Sequence, residues 1–221
     1  MKILRTIRNF FNLKVLLCDL DGTLIVTKSG KTFPENADDW KFKPGINYAI
    51  RQYNPKYIFI ISNQGGIEKG FVKEDEFYAK FRKIINEMRT WGDFIVEGTY
   101  CTSNDPENVN RKPNTGMVDF FRHGYVMGTD FDNRSALMIG DASGLDGQFS
   151  DSDLQCAKNA GIRYCDVDKF IEAADPCVNC KGSCGEYPMD EELPPHFPCK
   201  TPYKERLKRV IIKPSSKPSS R

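Results

Sequence analysis

Val15-Leu16-Leu17-Cys18-Asp19-Leu20-Asp21-Gly22-Thr23 is an apolar run that ends in two aspartates and a glycine. A short continuous apolar run bounded by a polar cluster reads as a strand buried on both faces, because a strand with one wet face alternates instead. Side chains at i and i+2 of an extended chain point the same way. Asp19 and Asp21 are therefore expected to place two carboxylates in one small volume at a strand tip. Their repulsion keeps one protonated or calls for a cation. A hard divalent ion such as Mg²⁺ binds one or two carboxylates together with phosphate oxygens and water. Gly22 lets the backbone turn sharply. The competing reading is a solvated Asp-Gly turn.

Four similar runs follow. Tyr57-Ile-Phe-Ile-Ile61 leads into Ser62-Asn63-Gln64-Gly65-Gly66, and Phe94 to Tyr100 leads into Cys101. Ala136-Leu-Met-Ile139 leads into Gly140-Asp141, and Ile162 to Cys165 is a short fifth strand. Helical patterns lie between them. Phe77, Phe81, Ile84, Ile85 and Met88 form one apolar stripe, a core face. Asn47 to Tyr53 stops before Pro55, and Leu154 to Ala160 stops at Gly161. The alternation predicts an α/β fold with a doubly wound, mostly parallel sheet. Ligands of such sheets bind beyond the carboxyl ends of the strands, where all these polar clusters fall.

Three clusters can serve a phosphate there. Ser62-Asn63 offers a hydroxyl and a backbone amide. Arg111-Lys112-Pro113, ahead of a helical stretch from Thr115, brings cations. Asp141 is a third carboxylate. Taken singly, Ser62 reads as a helix cap, Lys112 as a surface lysine and Asp141 as a turn residue. Their joint order at successive strand tips favours a phosphate site.

That order resembles the haloacid dehalogenase superfamily of phosphatases, whose fold is Rossmann-like. The flanking residues narrow it: Ser29-Gly-Lys-Thr-Phe-Pro34 and Asp39-Trp40, Ser62-Asn-Gln-Gly-Gly-Ile67 and Lys69-Gly70, Arg111-Lys-Pro-Asn-Thr-Gly-Met117, Gly140-Asp-Ala-Ser-Gly144, Phe149-Ser150, and Asp153 ahead of Ala157, Asn159 and Gly161. Together, from about residue 14 to 172, they resemble the 3′-phosphatase domain of polynucleotide kinase 3′-phosphatases. The resemblance implies Asp19 as nucleophile, forming an aspartyl-phosphate, and Asp21 as general acid and base. It implies Mg²⁺ held by the Asp19 carboxylate, the Asp21 backbone carbonyl and Asp141. Ser62, Asn63, Lys112 and Arg111 would hold the phosphate, and Asp153 would orient the Asp141 loop. The partner it implies is a DNA 3′-phosphate end, in strand-break repair.

There are departures. Ser62 stands for the more usual threonine, and the Ala142–Gln148 loop is short and lacks basic residues. No kinase half is present: in Ser29-Gly30-Lys31-Thr32 the first P-loop glycine would fall at Ile25. The segment reads instead as the tip of a β-hairpin over the site. The 22 residues between Asp21 and Pro44 suffice for a hairpin but not a cap domain, so an open site is expected. The alternative is a histidinol-phosphate or heptose-bisphosphate phosphatase. Those commonly carry a Cys/His zinc loop before the lysine motif, where this chain has only Cys101. A third reading is a non-catalytic strand-end binding protein.

Composition bounds the rest. The chain has 221 residues and net charge +2, with 39% hydrophobic and 28% charged residues. These values exclude collagen-like and wholly disordered classes, and no apolar run approaches the ~18 residues of a membrane span. Residues 200–221 carry eight Lys/Arg and one Glu, so the rest of the chain nets −5. The organisation expected is a phosphatase domain over 1–174, a Cys-rich segment over 175–199 and a basic tail over 200–221. Cys177, Cys180, Cys184, His196 and Cys199 have a spacing that could hold structural zinc; free thiols are the alternative. The tail reads as a phosphate-backbone contact, a nuclear address or a solvated end. Met1–Asn12, basic but followed at once by a strand, reads as a leading element rather than a transit peptide. Scattered cysteines without a secretory signal point to a reducing intracellular compartment, nuclear or cytoplasmic. No membrane partner is expected, and the working assembly is a monomer. Trp40 is expected to pack under the hairpin rather than stack on a base, and His123 to be structural or exposed.

Overall fold

The computed structural model describes residues 13–126, 131–132 and 134–174. The chain divides after Ala174. The leading element, the Cys/His cluster (Cys177, Cys180, Cys184, His196, Cys199) and the basic tail lie outside the described residues.

Among the described residues, seven strands occur in chain order: β1 (Val15–Cys18), β2 (Ile25–Val26), β3 (Lys41–Phe42), β4 (Tyr57–Asn63), β5 (Ile95–Cys101), β6 (Ala136–Gly140) and β7 (Arg163–Asp166). The helices are α1 (Ile46–Tyr53), α2 (Gly65–Glu68), α3 (Glu74–Met88), α4 (Gly116–Gly124), α5 (Ser152–Asn159) and α6 (Val167–Ala174). Five strands form one sheet in the order β5-β4-β1-β6-β7, and every pairing in it is parallel.

The continuous apolar strands are buried on both faces, as their composition requires. Leu16 and Cys18 of β1 join the cluster that holds Ile46 and Ile50 of α1, Phe81 and Ile85 of α3 and Phe170 of α6. Val15 and Leu17 join the opposite cluster, with Phe121 of α4 and Cys156 of α5. Period-two alternation thus divides one strand between two cores. Phe59 and Phe121 stack at 4.2 Å between ring centroids, and burying such a ring contributes about 1.5–3 kcal/mol.

The helices follow local signals. α1 ends on Asn54 in the left-handed conformation (φ 46°), just before Pro55. α3 starts ahead of its apolar stripe, with Glu74, Asp75 and Glu76 in its first turn, where acids suit the helix dipole. β2 and β3 pair antiparallel, Ile25 with Phe42 and Val26 with Lys41, as the hairpin expected over this segment. Within the intervening loop, the Asp39 carboxylate accepts hydrogen bonds from Ser29 N (2.8 Å), Ser29 Oγ (2.7 Å) and Glu35 N (2.9 Å). Those donors, Glu35 N first, hold the Asp39 carboxyl down at about 2. Trp40 is buried and meets Phe42 edge-on at 5.5 Å, so it packs. His123 is exposed in the last turn of α4. Among the described residues, no helix is long and apolar enough to cross a membrane.

Candidate active site

The topology places the site. β1 is flanked by β4 on one side and β6 on the other. The connections thus lead from β1 to both halves of the sheet, and the carboxyl end of β1, where the order reverses, is the place where sheets of this kind bind ligands. Asp19 follows β1 directly, Ser62 and Asn63 end β4, and Asp141 follows β6.

Lys112 lies at the centre. Its Nζ is 2.5 Å from Asp19 Oδ1 and 2.7 Å from Asp153 Oδ1. Carboxylate oxygens of Asp19, Asp141 and Asp153 all lie within 4.8 Å of one another. Burial, the largest influence, pushes the Asp19 carboxyl up to about 8; Lys112 opposes the rise, and the Asp153 and Asp141 charges add to it. Asp141 is raised by burial and by Asp153. Burial works against the charged form of Lys112, but Asp19 and Asp153 outweigh it and hold the ammonium charged. One lysine between two carboxylates keeps its proton while the carboxylates compete for it. With all three carboxylates ionised, as metal binding requires, they and the one ammonium leave a formal −2, the charge one divalent ion neutralises. The donors are hard oxygens, so Mg²⁺ fits them.

Gly22 shows how closely the chain folds around this group. Its φ is +80°, and a Cβ there would lie 2.0 Å from Asp141 Oδ2. Only glycine suits both the conformation and the approach. Thr23 Oγ1 donates to Asp141 Oδ1 at 3.4 Å. Asp153 is 1% exposed. Its Oδ2 accepts from Ala142 N at 3.2 Å, and its own N–H donates to Ala142 O at 3.1 Å. It therefore holds the loop that carries Asp141.

One expectation is corrected. The carboxylate that completes the group is Asp153, not Asp21. β1 ends at Cys18, and the turn begins immediately, with Leu24 N and Ile25 N both donating to Leu20 O. The i, i+2 rule for extended chains lapses there. The Asp21 carboxylate faces Gln64 Nε2 at 2.7 Å and Lys80 Nζ at 4.0 Å, with its side chain 53% exposed.

The residues expected to serve a phosphate are brought to the same edge. Ser62 is 1% exposed. The Asn63 side chain clamps the lysine loop: Nδ2 donates to Lys112 O and Oδ1 accepts from Lys112 N, both at 2.9 Å. Arg111 is turned aside, its Nη1 donating to Ser103 O at 2.7 Å. Two residues escaped the sequence reading. Gln64 Nε2 donates to both Asp21 Oδ2 and Ser62 Oγ. Lys43 Nζ donates to Gly22 O and pairs with Asp168 Oδ1, each at 3.0 Å. Position after a strand tip was a signal for Gln64; Lys43 had none.

Residues 14–171 match the family model described as polynucleotide kinase 3 phosphatase. The chain belongs to this family. It is accordingly a phosphoric monoester hydrolase of the haloacid dehalogenase superfamily. It is 32% identical over 161 residues to the bifunctional polynucleotide phosphatase/kinase of Schizosaccharomyces pombe, covering 72% of this chain and 37% of that one. It is 30% identical over 202 residues to the polynucleotide 3′-phosphatase of Saccharomyces cerevisiae, covering 69% and 84%. A D-glycero-beta-D-manno-heptose-1,7-bisphosphate 7-phosphatase of Rhodopseudomonas palustris is 33% identical over 147 residues, covering 60% and 75%. Among solved structures, the D,D-heptose 1,7-bisphosphate phosphatase of B. bronchiseptica, complexed with magnesium and phosphate, superposes with a TM-score of 0.52 at 23% identity, covering 69% and 79%. That likeness concerns the fold.

Proposed function

We propose that this phosphatase is a Mg²⁺-dependent polynucleotide 3′-phosphatase that clears 3′-phosphate ends of DNA for strand-break repair. The family match over 14–171 carries the reading. The acid group supports its chemistry, with Asp19 set against Lys112 at the switch point. When bound, Mg²⁺ screens the approach of an anionic nucleophile to an anionic phosphate. Asp19, Asp141 and the Asp21 backbone carbonyl would hold it, with the Asp153 carboxylate beside them.

The chain's own residues do the rest. An Asp19 carboxylate oxygen attacks phosphorus, and the bond from phosphorus to the 3′-oxygen breaks. Asp21 gives its proton to the departing oxygen. A water then attacks the aspartyl-phosphate and passes a proton to the Asp21 carboxylate; phosphate leaves and Asp19 is restored. Ser62, the Asn63 backbone amide and Lys112 hold the non-bridging oxygens throughout. Arg111, tied to Ser103, would act at the rim of the site.

A polynucleotide is favoured over a heptose phosphate by how the site is built. Only the β2–β3 hairpin stands between β1 and α1, and only α2, α3 and β5 lie between β4 and Lys112. Three loops at this edge present exposed aromatics: Phe33 in the hairpin loop, Phe71 after α2 and Phe149 after β6, at 77%, 81% and 88% exposure. Open aromatic faces suit stacked bases; since some small-sugar phosphatases are also uncapped, it is the exposed rings rather than the openness that favour a polynucleotide. Turnover of a 3′-phosphorylated oligonucleotide, its 5′-phosphorylated isomer, histidinol phosphate and heptose 1,7-bisphosphate tests the reading. Preference for the first supports it, and preference for either metabolite overturns it.

A further inference from the structure

Gln64 joins two halves of the site. Its backbone N–H donates to Cys101 O at 2.7 Å, which fixes it to the end of β5. Its side chain reaches back, and Nε2 donates to Asp21 Oδ2 at 2.7 Å and to Ser62 Oγ at 2.8 Å. A carboxylate oxygen only accepts, so the amide NH₂ is the group that faces it. Both its hydrogens are then committed, one to each partner. Ser62 Oγ receives one of them on a lone pair, which leaves its own O–H to be donated elsewhere.

We propose that Gln64 is a positioning residue that sets the acid and the phosphate hydroxyl as one unit. It holds Asp21 Oδ2, so that Oδ1 carries the transferable proton, and it turns the Ser62 O–H toward the phosphate. This rests on the 3′-phosphatase reading for the identity of the leaving oxygen. As the bond from phosphorus to oxygen breaks, its electron pair stays on the leaving oxygen, which takes the Asp21 proton. Asp21 becomes a carboxylate, stabilised by the Gln64 N–H and by Lys80 Nζ, 4.0 Å from Oδ1. The same carboxylate, still held, accepts the proton of the hydrolytic water.

The test compares leaving groups, using the full chain with Mg²⁺. The alkoxide leaving group of a 3′-phosphorylated oligonucleotide needs a proton, whereas the phenoxide of p-nitrophenyl phosphate departs without one. For Gln64→Ala, kcat/KM on the oligonucleotide is expected to fall about 100-fold, within the range of general acid catalysis. Through Ser62 it falls on p-nitrophenyl phosphate too, but by a smaller factor, so the ratio shifts at least about tenfold. Asp21→Asn shifts the ratio the same way, and Gln64→Ala adds little in that background. Gln64→Glu, equal in length but without the donor when ionised, repeats the measurement if the alanine variant does not fold. Equal losses on both substrates, or no loss, would overturn the role of Gln64. A wild-type protein active on p-nitrophenyl phosphate but not on the oligonucleotide overturns the substrate reading instead; glycerol phosphate then serves as the alkyl ester for the Gln64 comparison.

Discussion

Lys112 Nζ lies 2.7 Å from Asp153 Oδ1, and each of the two side chains is only 2% exposed. Asp153 thus anchors the ammonium that also meets Asp19, while its Oδ2 fixes the Ala142 backbone. Lys112 keeps Asp19 at 2.5 Å when Asp153 is removed, so the cost is that of one hydrogen bond to a charged group rather than of an unpaired buried charge. Asp153→Ala is expected to lower the unfolding free energy by about 1.5–3 kcal/mol in urea titrations and to weaken Mg²⁺ binding by calorimetry. A loss below about 1 kcal/mol, the scale of a surface pair, would contradict this role.

Stability and pH are linked through Asp19. Its folded carboxyl titrates at about 8, against an ordinary value of 3.8. Between those values the folded protein holds a proton that the unfolded chain has released, so metal-free stability falls as pH rises through that window. Mg²⁺ needs the carboxylates ionised and binds more tightly at the upper end. In EDTA, Tm is expected to drop between pH 5 and 8, with a shallower drop in Asp19→Asn. Added Mg²⁺ raises Tm more at pH 8 than at pH 5. Equal Mg²⁺ shifts at both pH values would refute the linkage.

Gly22→Ala tests the close approach. The new methyl carbon meets Asp141 Oδ2 at 2.0 Å, on a backbone at φ +80°. Asp141 must move out of the acid group, so Mg²⁺-dependent stabilisation is expected to vanish. The left-handed conformation costs roughly 1–2 kcal/mol besides. A variant with undiminished Mg²⁺ affinity would show that Asp141 is not held in this way.

Phe33 and Phe71 test the nucleic-acid reading. Both are more than three-quarters exposed, on loops tied by backbone bonds such as Phe71 N to Gly66 O at 2.9 Å. Stacking a base on such a ring contributes about 1–3 kcal/mol. Each alanine substitution is expected to raise KM for the oligonucleotide roughly 5- to 150-fold, and KM for p-nitrophenyl phosphate by much less. Unchanged KM for the oligonucleotide in both variants would remove these rings from the substrate path.

Much of the fold was legible because the three central strands are continuous apolar runs, and two-sided burial leaves no other use for Val15–Cys18 or Ile58–Ile61. α3 was legible from its stripe, and the hairpin from its short span. α6 was missed: Val167–Ala174 is only eight residues long and opens on Val-Asp-Lys, and its burial at Phe170 comes from packing beside α1. At the site, carboxylates at strand tips could be read one by one. Which of them share a volume could not, because that depends on where β1 stops and the turn starts. Asp153 therefore looked peripheral, and Asp21 looked like a neighbour of Asp19. Gln64 was quoted within a motif but gained a role only when β4 set it beside Asp21.

On the proposed mechanism, Asp19 is transiently phosphorylated by a 3′-phosphorylated strand end. The decisive measurement is phosphate release from such an oligonucleotide by Asp19→Asn, against wild type with Mg²⁺. The expected loss is at least about 10⁴-fold, the scale of removing a nucleophile, with the fold retained by circular dichroism. Turnover near the wild-type rate would show that Asp19 is not the nucleophile.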